Sequence, residues 1–228
     1  MHKVFIGFDP RQPVSYNVLA QSIFTRSSEP ISISALVLQQ LPLKRQGLTP
    51  FTFSRFLVPY LCHYEGWALF LDIDMILLDD IHELFCMADN QYAVMVSKNK
   101  VRFEWASAML FNCEHPANRI LTPEFIETAD RLHQISWLKE EEIGEFPGEW
   151  NHLVGYDKPR TDAKLVHYTQ GVPAYEITAD SEYAAEWKQE AISLIQAQPW
   201  EVLMGNSVHA AVLPDGKRVP RYKVEPPQ

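Results

Sequence analysis

Two aspartates, Asp72 and Asp74, have the residue type and the spacing that suit a divalent metal ion. They follow an apolar run at 67–71 of the kind that forms a strand buried on both faces. Carboxylates two residues apart on a continuing strand share a side and repel each other unless a cation neutralises them. Mg2+ and Mn2+ take such oxygen ligands. For the pair alone a solvated acidic turn is the simpler interpretation, but a second apolar run at 75–78 favours the metal.

Three other residues are candidates for the same site. His167 ends an apolar run and precedes a glycine loop, so it is the best third protein ligand, and its imidazole favours Mn2+ over Mg2+. Gly171 lets the backbone approach a phosphate closely. Arg55 suits either a phosphate or an aspartate as partner, and the residues alone favour neither. A structural histidine is the alternative for His167.

Asp9 ends the first predicted strand, at the sheet edge where the aspartate pair is expected. Its carboxylate suits a hydrogen bond from a ring N–H of a nucleobase, with Phe8 or Tyr16 as the stacking surface. An acid that complements the dipole of the following helix is an equally good interpretation.

The elements that must position these residues alternate between strands and helices. A strand at 4–8, a helix from about residue 14 and a strand at 31–38 form a β-α-β opening, which predicts a parallel sheet. Apolar residues at helical spacing predict a helix over 53–64, capped by Thr52 and kinked at Pro59. The remaining predictions are strands at 67–71, 92–96, 107–112 and 164–168, helices at 123–132 and 184–195, and irregular chain at 136–163.

The composition limits the class of protein. A chain of 228 residues with 46% hydrophobic and 21% charged residues is typical of a globular domain, and we expect one domain over 1–204 with an extended tail over 205–228. A net charge of −9 argues against nucleic acid as a partner. The chain carries no P-loop, G-x-G-x-x-G, G-x-S-x-G or C-x-x-C motif.

The cysteines and the hydropathy predict the compartment. Cys62, Cys86 and Cys113 are odd in number and lie in apolar surroundings, so we expect buried free thiols. No signal peptide and no transmembrane segment are recognisable in the sequence. These features together predict a cytoplasmic protein.

The ordered set of motifs resembles the family 8 glycosyltransferases, which include glycogenin-like and lipopolysaccharide galactosyl- and glucosyltransferase-like enzymes. The resemblance spans roughly residues 3–175. It depends on Asp9 and on the segments at 54–56, 66–75, 80–85, 109–112 and 167–171.

The resemblance implies a fold, a reaction and a set of site residues. The fold would be a single-domain GT-A (Rossmann-like) α/β/α sandwich with a mixed, mostly parallel central sheet. The reaction would move a sugar from a nucleotide sugar, commonly a UDP-sugar, to an acceptor with retention of configuration. Asp72, Asp74 and His167 would hold Mn2+ or Mg2+ on the diphosphate, and Arg55 would lie near the donor phosphates or sugar. The expected catalytic residues are Asp72, Asp74 and Arg55, and the expected nucleotide-binding residues are Phe8, Asp9, Tyr16, Arg55, Ile73 and Gly171.

The chain also departs from this family. The family often places a diphosphate-binding lysine after the glycine, whereas Val172-Pro173 follows Gly171 here, and Lys164 or Lys158 would have to substitute. The acceptor, whether carbohydrate, lipid-linked or protein, is expected to meet residues 136–163. Two alternatives remain open: a non-catalytic nucleotide-sugar binding module, and a phosphohydrolase of the haloacid dehalogenase type. The phosphohydrolase class has its D-x-D close to the N-terminus, whereas Asp72 follows 71 residues.

Overall fold

The computed structural model describes residues 1–99, 101–196, 198, 202 and 210–220. The chain divides into two compact units, Met1–Leu194 and Ile195–Gln228. The first unit holds every element that positions the candidate site. The predicted boundary at residue 204 lies outside the described residues, so the division into a domain over 1–204 and a tail stays a prediction.

Short strands and short helices make up the first unit. Its strands are β1 (His2–Gly7), β2 (Ile31–Leu36), β3 (Trp67–Leu71), β4 (Met75–Leu77), β5 (Val94–Val96), β6 (Ala108–Asn112), β7 (Ile143–Glu145), β8 (His152–Leu153) and β9 (Leu165–His167). Its α-helices are α1 (Pro13–Arg26), α2 (Val58–Leu61), α3 (Ile81–Cys86), α4 (Pro123–Thr128) and α5 (Ala184–Ile195), the last of which ends at the first residue of the second unit.

A six-stranded sheet in the order β2-β1-β3-β6-β5-β7 forms the centre of this unit. β1 pairs in parallel with β2 and β3, and β5 pairs in parallel with β7. Only β6 runs against its neighbours in this sheet, pairing antiparallel with both β3 and β5. The prediction of a mixed, mostly parallel sheet is confirmed.

The β-α-β opening forms as predicted because its sequence signals agree with one another. Pro13 begins α1, where its missing N–H is not needed, and Arg26 lies in the last turn, where it complements the helix dipole. β1 and β2 then pair in register from His2 opposite Ile31 to Gly7 opposite Leu36. The turn after β1 therefore opens at the carboxyl edge of the sheet.

Helices cover both faces of the central sheet, as an α/β/α sandwich requires. In β3, Ala68 and Phe70 pack into one core cluster, and Leu69 and Leu71 pack into the other. The first cluster includes residues of α2 and α4, and the second includes residues of α1 and α3. Because β3 is buried on both faces, its sequence is continuously apolar rather than alternating.

A second sheet of three strands, in the order β4-β9-β8, carries the histidine of the candidate site. β4 pairs antiparallel with β9, and Met75 lies directly opposite His167 in that pairing. The backbone N–H of Tyr168 also donates a 2.9 Å hydrogen bond to the carbonyl of Asp74. This pairing fixes the position of His167 relative to the aspartates.

The predicted helix over 53–64 is wrong in type and length. The chain forms a 3-10 turn over Ser54–Leu57, followed by the four-residue α2. Pro59 lacks the N–H for a longer α-helical ladder, and His63 and Tyr64 adopt left-handed backbone angles that end the segment. Thr52 makes no helix-capping hydrogen bond. Phe56 and Leu57 are still buried, so the pattern identified the buried side chains and not the backbone form.

Other predictions need smaller changes. α4 ends at Thr128 rather than 132, and the region 136–163 contains β7 and β8. Cys62 and Cys113 are buried free thiols as expected, whereas Cys86 is exposed because it lies on the solvent side of the last turn of α3. In the second unit, β10 (Ala210–Val212) and β11 (Arg218–Pro220) pair as an antiparallel hairpin within the predicted tail. No helix in the described part of the chain is both long and apolar enough to span a bilayer.

Candidate functional site

The candidate site lies at the carboxyl edge of the central sheet, where open α/β sheets bind ligands. Asp72 is the first residue after β3, and its N–H donates a 2.9 Å hydrogen bond to the carbonyl of Ser107. Ser107 ends the turn over Arg102–Ser107 that leads into β6. Since β6 is antiparallel to β3, its beginning and the end of β3 meet at this edge.

Arg55 holds Asp72 in place. Its Nη1 donates a 3.3 Å hydrogen bond to Oδ2 of Asp72 and a 2.7 Å hydrogen bond to the carbonyl of Ala106, and its Nη2 lies 3.0 Å from Oδ1. Both side chains are buried. Burial is the main cause that raises the pKa of Asp72 to about 7, and Arg55 opposes this shift while Asp74 adds to it. With only Arg55 as counter-charge, this carboxyl group therefore ionises less readily than an ordinary aspartate.

Asp74 and His167 form the second half of the site. His167 Nε2 lies 3.4 Å from Oδ1 of Asp74, and the imidazole is buried. Burial alone would lower the pKa of His167, but Asp74, Asp72 and Glu104 together raise the pKa above its ordinary value. The neighbouring carboxylates therefore favour the protonated form of this imidazole.

Asp72, Asp74 and His167 fit a divalent metal ion. One ligand atom from each residue lies within 4.8 Å of the others, and these are the only three such residues grouped this closely in the described chain. Two carboxylates and an imidazole are a ligand set that suits Mn2+ and tolerates Mg2+. The unfavourable burial of Asp72 supports the same conclusion, because a divalent ion would supply the missing positive charge.

A cavity of about 170 Å³ opens over these residues. Besides the predicted Arg55, Asp72, Asp74 and His167, its lining includes Phe103, Glu104 and His133, which the sequence pattern did not identify. Glu104 was detectable only with the direction of the following strand in hand, because that strand begins at the same edge. His133 carried no signal, since it lies in a region where the pattern predicted little.

His133 forms an aromatic wall of this cavity. Its ring stacks on Phe103, with a centroid distance of 4.7 Å and an interplanar angle of 10°. Burial, and then the charges of Arg55 and Arg45, lower the pKa of His133 to about 3. The ring is therefore neutral at physiological pH and presents an apolar face with polar edges.

Two of the predicted base-binding residues, Phe8 and Asp9, follow β1, and the third, Tyr16, lies in the first turns of α1. Phe8 and Tyr16 meet edge to face at 5.6 Å, but the buried carboxylate of Asp9 is already paired. Arg11 donates hydrogen bonds to it through Nε at 2.9 Å and through Nη2 at 2.6 Å. These hydrogen bonds are the main cause that lowers the pKa of Asp9. Arg11, which is mostly exposed, also lines a cavity of about 260 Å³ that shares Leu48 with the cavity over the aspartates.

The other predicted residues have different surroundings. The side chain of Ile73 is fully buried in the core and can contribute only its backbone to a ligand. Gly171 has a φ of +111°, and a Cβ there would lie 3.2 Å from the Tyr175 ring, so this turn requires glycine. Lys164 pairs with Asp79 at 2.9 Å and also with Glu83, which leaves it occupied. Neither pairing supports Lys164 as a substitute for the lysine that the family often carries.

A wider cleft of about 500 Å³ lies further along the same edge, at the ends of β5 and β7. Acidic and basic residues alternate around it. Its charged lining residues are Lys98, Glu145, Asp157, Lys158, Arg160 and Asp162. Most of this cleft comes from the region 136–163.

Comparisons with known proteins agree with this architecture. No protein-family model matches the chain. Among solved structures, the bifunctional glycosyltransferase WbbM aligns over 90% of this chain with a TM-score of 0.68 and 14% identity. The glycosyltransferase GlyE of Streptococcus pneumoniae aligns over 90% with a TM-score of 0.65 and 15% identity, and the galactosyltransferase LgtC over 90% with 0.59 and 12%.

These likenesses show the fold, which is of the GT-A type. The chain spans 51% of the WbbM chain and 63% of the GlyE chain, but 100% of the LgtC chain. A curated relative, protein CDI of Arabidopsis thaliana, is 37% identical over 222 residues, with 82% of this chain and 85% of the relative covered. At that identity and coverage, the chain belongs to the family of protein CDI.

Proposed function

We propose that this protein is a metal-dependent glycosyltransferase of the family 8 type. It would transfer a sugar from a nucleotide sugar, most simply a UDP-sugar, to an acceptor with retention of configuration. The observation that carries the proposal is the group of Asp72, Asp74 and His167 at the carboxyl edge of a GT-A sheet. That edge is where such sheets bind nucleotides.

The proposed donor site uses the chain's own charges in separate roles. Asp72, Asp74 and His167 would hold Mn2+ or Mg2+, and the bound ion would stabilise the negative charge that develops on the leaving diphosphate. Arg55 keeps the Asp72 carboxylate oriented and partly neutralised through its 3.0 Å contact. Its guanidinium is then fixed beside the proposed phosphates or sugar.

The nucleoside would lie beside Phe8 and Tyr16, over the pair of Asp9 and Arg11. Because Arg11 occupies the Asp9 carboxylate, either the arginine moves away when the base enters or the arginine itself meets the carbonyl oxygens of the base. The backbone of Ile73 and the turn at Gly171 would approach the ribose and the phosphates.

The sugar would enter the cavity between the aspartates and the wall of Phe103 and His133. The acceptor would approach from the wider cleft at 136–163, which is lined by paired charges and suits a hydroxyl-rich ligand. This cleft is compatible with a carbohydrate, a lipid-linked sugar or a glycosylated protein as the acceptor. Three unpaired cysteines support a reducing compartment, and we propose the cytoplasm.

Purified protein incubated with Mn2+ and a panel of nucleotide sugars tests the proposal, with release of nucleoside diphosphate as the readout. We expect release from a UDP-sugar that depends on the metal and falls at least about 100-fold in Asp74→Ala, because charge stabilisation at the leaving group is lost. Asp162→Asn, in the wider cleft, is the matched control and should retain donor turnover. Proton NMR of the transfer product reports the anomeric configuration.

The same experiment separates the alternatives. Tight, metal-dependent UDP binding without turnover would favour a non-catalytic binding module. Phosphate release from simple phosphomonoesters without any sugar donor would overturn the proposal in favour of a phosphohydrolase.

A further inference from the structure

Two buried or half-buried polar groups beside the metal-binding residues lack partners and face each other. Nδ1 of His167 makes no hydrogen bond although it is shielded from solvent. The Glu104 carboxylate accepts no hydrogen bond from any described residue, and its Oε2 lies 3.9 Å from that same nitrogen. The nitrogen can donate a hydrogen bond when it carries a proton, and the carboxylate can accept one.

The backbone of Glu104 is held firmly although its side chain is free. Its carbonyl accepts a 2.6 Å hydrogen bond from the Ser107 hydroxyl and a 3.3 Å hydrogen bond from the Asn151 amide. Asn151 also donates a 3.0 Å hydrogen bond to the Ser107 hydroxyl, and both side chains are buried. This buried polar network fixes the backbone of the Arg102–Ser107 turn under the cavity.

The two nitrogens of the His167 imidazole therefore have different neighbours. Nε2 points to Asp74, at 3.4 Å, and Nδ1 points to Glu104. A histidine that binds a metal through one nitrogen carries its proton on the other, and that N–H usually donates to a carboxylate or carbonyl. Such a partner selects the tautomer, orients the ring and makes the ligand more basic.

We propose that Glu104 is a positioning residue that accepts the Nδ1–H of His167 and so presents Nε2 to the metal. The inference rests on the proposed metal site. A role for Glu104 as a fourth metal ligand is less consistent with the geometry, because the closely grouped ligand atoms among the described residues belong to Asp72, Asp74 and His167 alone. Closing the gap of 3.9 Å requires only a change of side-chain torsion, since the carboxylate has no competing partner.

Titration of Mn2+ into the full-length protein without donor, followed by calorimetry, tests this inference. We expect Glu104→Ala to weaken Mn2+ binding by about 10- to 100-fold, the usual effect of removing such a partner. Glu104→Gln should bind within about five-fold of wild type, because its amide oxygen still accepts the N–H. Glu145→Ala, in the wider cleft, is the matched control and should bind like wild type.

A second readout reports the tautomer directly. Long-range 1H–15N NMR of the Mg2+-loaded protein should show His167 with its proton on Nδ1 in wild type and in Glu104→Gln. A mixture of tautomers is expected in Glu104→Ala. A general loss of folding would not produce this selective change, and the isosteric Gln variant remains informative if the Ala variant is unstable.

The outcomes distinguish the inference from the proposed function. If Asp74→Ala abolishes Mn2+ binding while Glu104→Ala binds within two-fold of wild type and retains one tautomer, the role of Glu104 is refuted and the metal site stands. If wild type binds no Mn2+, both are refuted. A defect of Glu104→Ala in turnover alone, with unchanged metal affinity, also contradicts the positioning role.

Discussion

Two cavities of the sheet edge, the one over β3 and the wider cleft, differ in charge balance. The cavity over β3 is small, and it concentrates Asp72, Asp74 and Glu104 against the single permanent cation Arg55. The wider cleft at β5 and β7 carries three acidic residues, Glu145, Asp157 and Asp162, against three basic ones. One region has an excess of negative charge in a buried setting, and the other is balanced and open.

This difference separates what the two regions can recognise. Buried carboxylates without enough counter-charge require a cation, so the chemistry of the small cavity is largely dictated by electrostatics. Paired charges in an open cleft do not require a further cation, so the ligand specificity of the cleft depends on shape and on hydrogen-bond positions. The kind of ligand that the small cavity binds is therefore predictable in chemical terms, and the ligand of the wider cleft is not.

Removing Arg55 should have the largest effect on stability. In Arg55→Leu, the buried Asp72 loses its partner, and we expect the free energy of unfolding without metal at pH 8 to fall by about 3 kcal/mol. The loss should be smaller at pH 5, where the carboxyl group takes up a proton instead. Urea unfolding measures both values.

Arg102→Leu is the comparison for that experiment, because its ion pair with Glu140 at 3.1 Å is exposed and should contribute less than about 1 kcal/mol. Equal losses in the two variants would contradict the idea that the cavity over β3 is electrostatically distinct.

His133 should make the protein less stable in mild acid. Its folded pKa of about 3 lies below the ordinary value of 6.5, so its contribution is fully present above pH 6.5 and is lost as the unfolded chain takes up a proton on acidification. Between pH 6.5 and 5 we expect wild type to lose roughly 1–2 kcal/mol through this group, and His133→Phe to lack that component.

Thermal melts of the two proteins across this pH range, each compared with its own value at pH 7.5, measure the difference. Parallel pH profiles would show that His133 is not held neutral in the folded state.

A substitution in the wider cleft should have a smaller effect, and the quantity that changes should be KM rather than stability. Arg160 contacts Asp162 at 2.7 Å and Glu149 at 3.4 Å at the mouth of the cleft. Once an acceptor is known, Arg160→Ala should raise its KM by roughly three- to ten-fold, since one polar contact contributes about 1 kcal/mol. Mn2+ and UDP affinity should stay unchanged, and a change in either would mean that the two regions are not independent.

Part of this site could be predicted from sequence because it depends on short-range signals. The apolar run before Asp72 and the strand before Asp9 each specify a strand end, and parallel strands bring their ends to one edge. The apolar run that ends at His167 also predicts a strand end, but the antiparallel pairing of β9 with β4 is what brings it to the aspartates. The helix over 53–64 could not be predicted correctly, because a 3-10 turn and an α-helix would bury the same apolar residues. Pro59, which lacks the N–H for a longer α-helix, decided between the two forms.

The sequence by itself predicted that the two aspartates follow a buried strand at the carboxyl edge of the sheet and named the histidine as a further candidate, because strand periodicity is a local property. The pairing of β9 with β4, which is a tertiary contact, brings the histidine to the aspartates. Only the tertiary structure decided which further side chains share that edge. Glu104 faces His167, and His133 stacks on Phe103, through contacts between residues distant in the chain. Such pairings depend on the packing of irregular turns, for which the sequence carries no period.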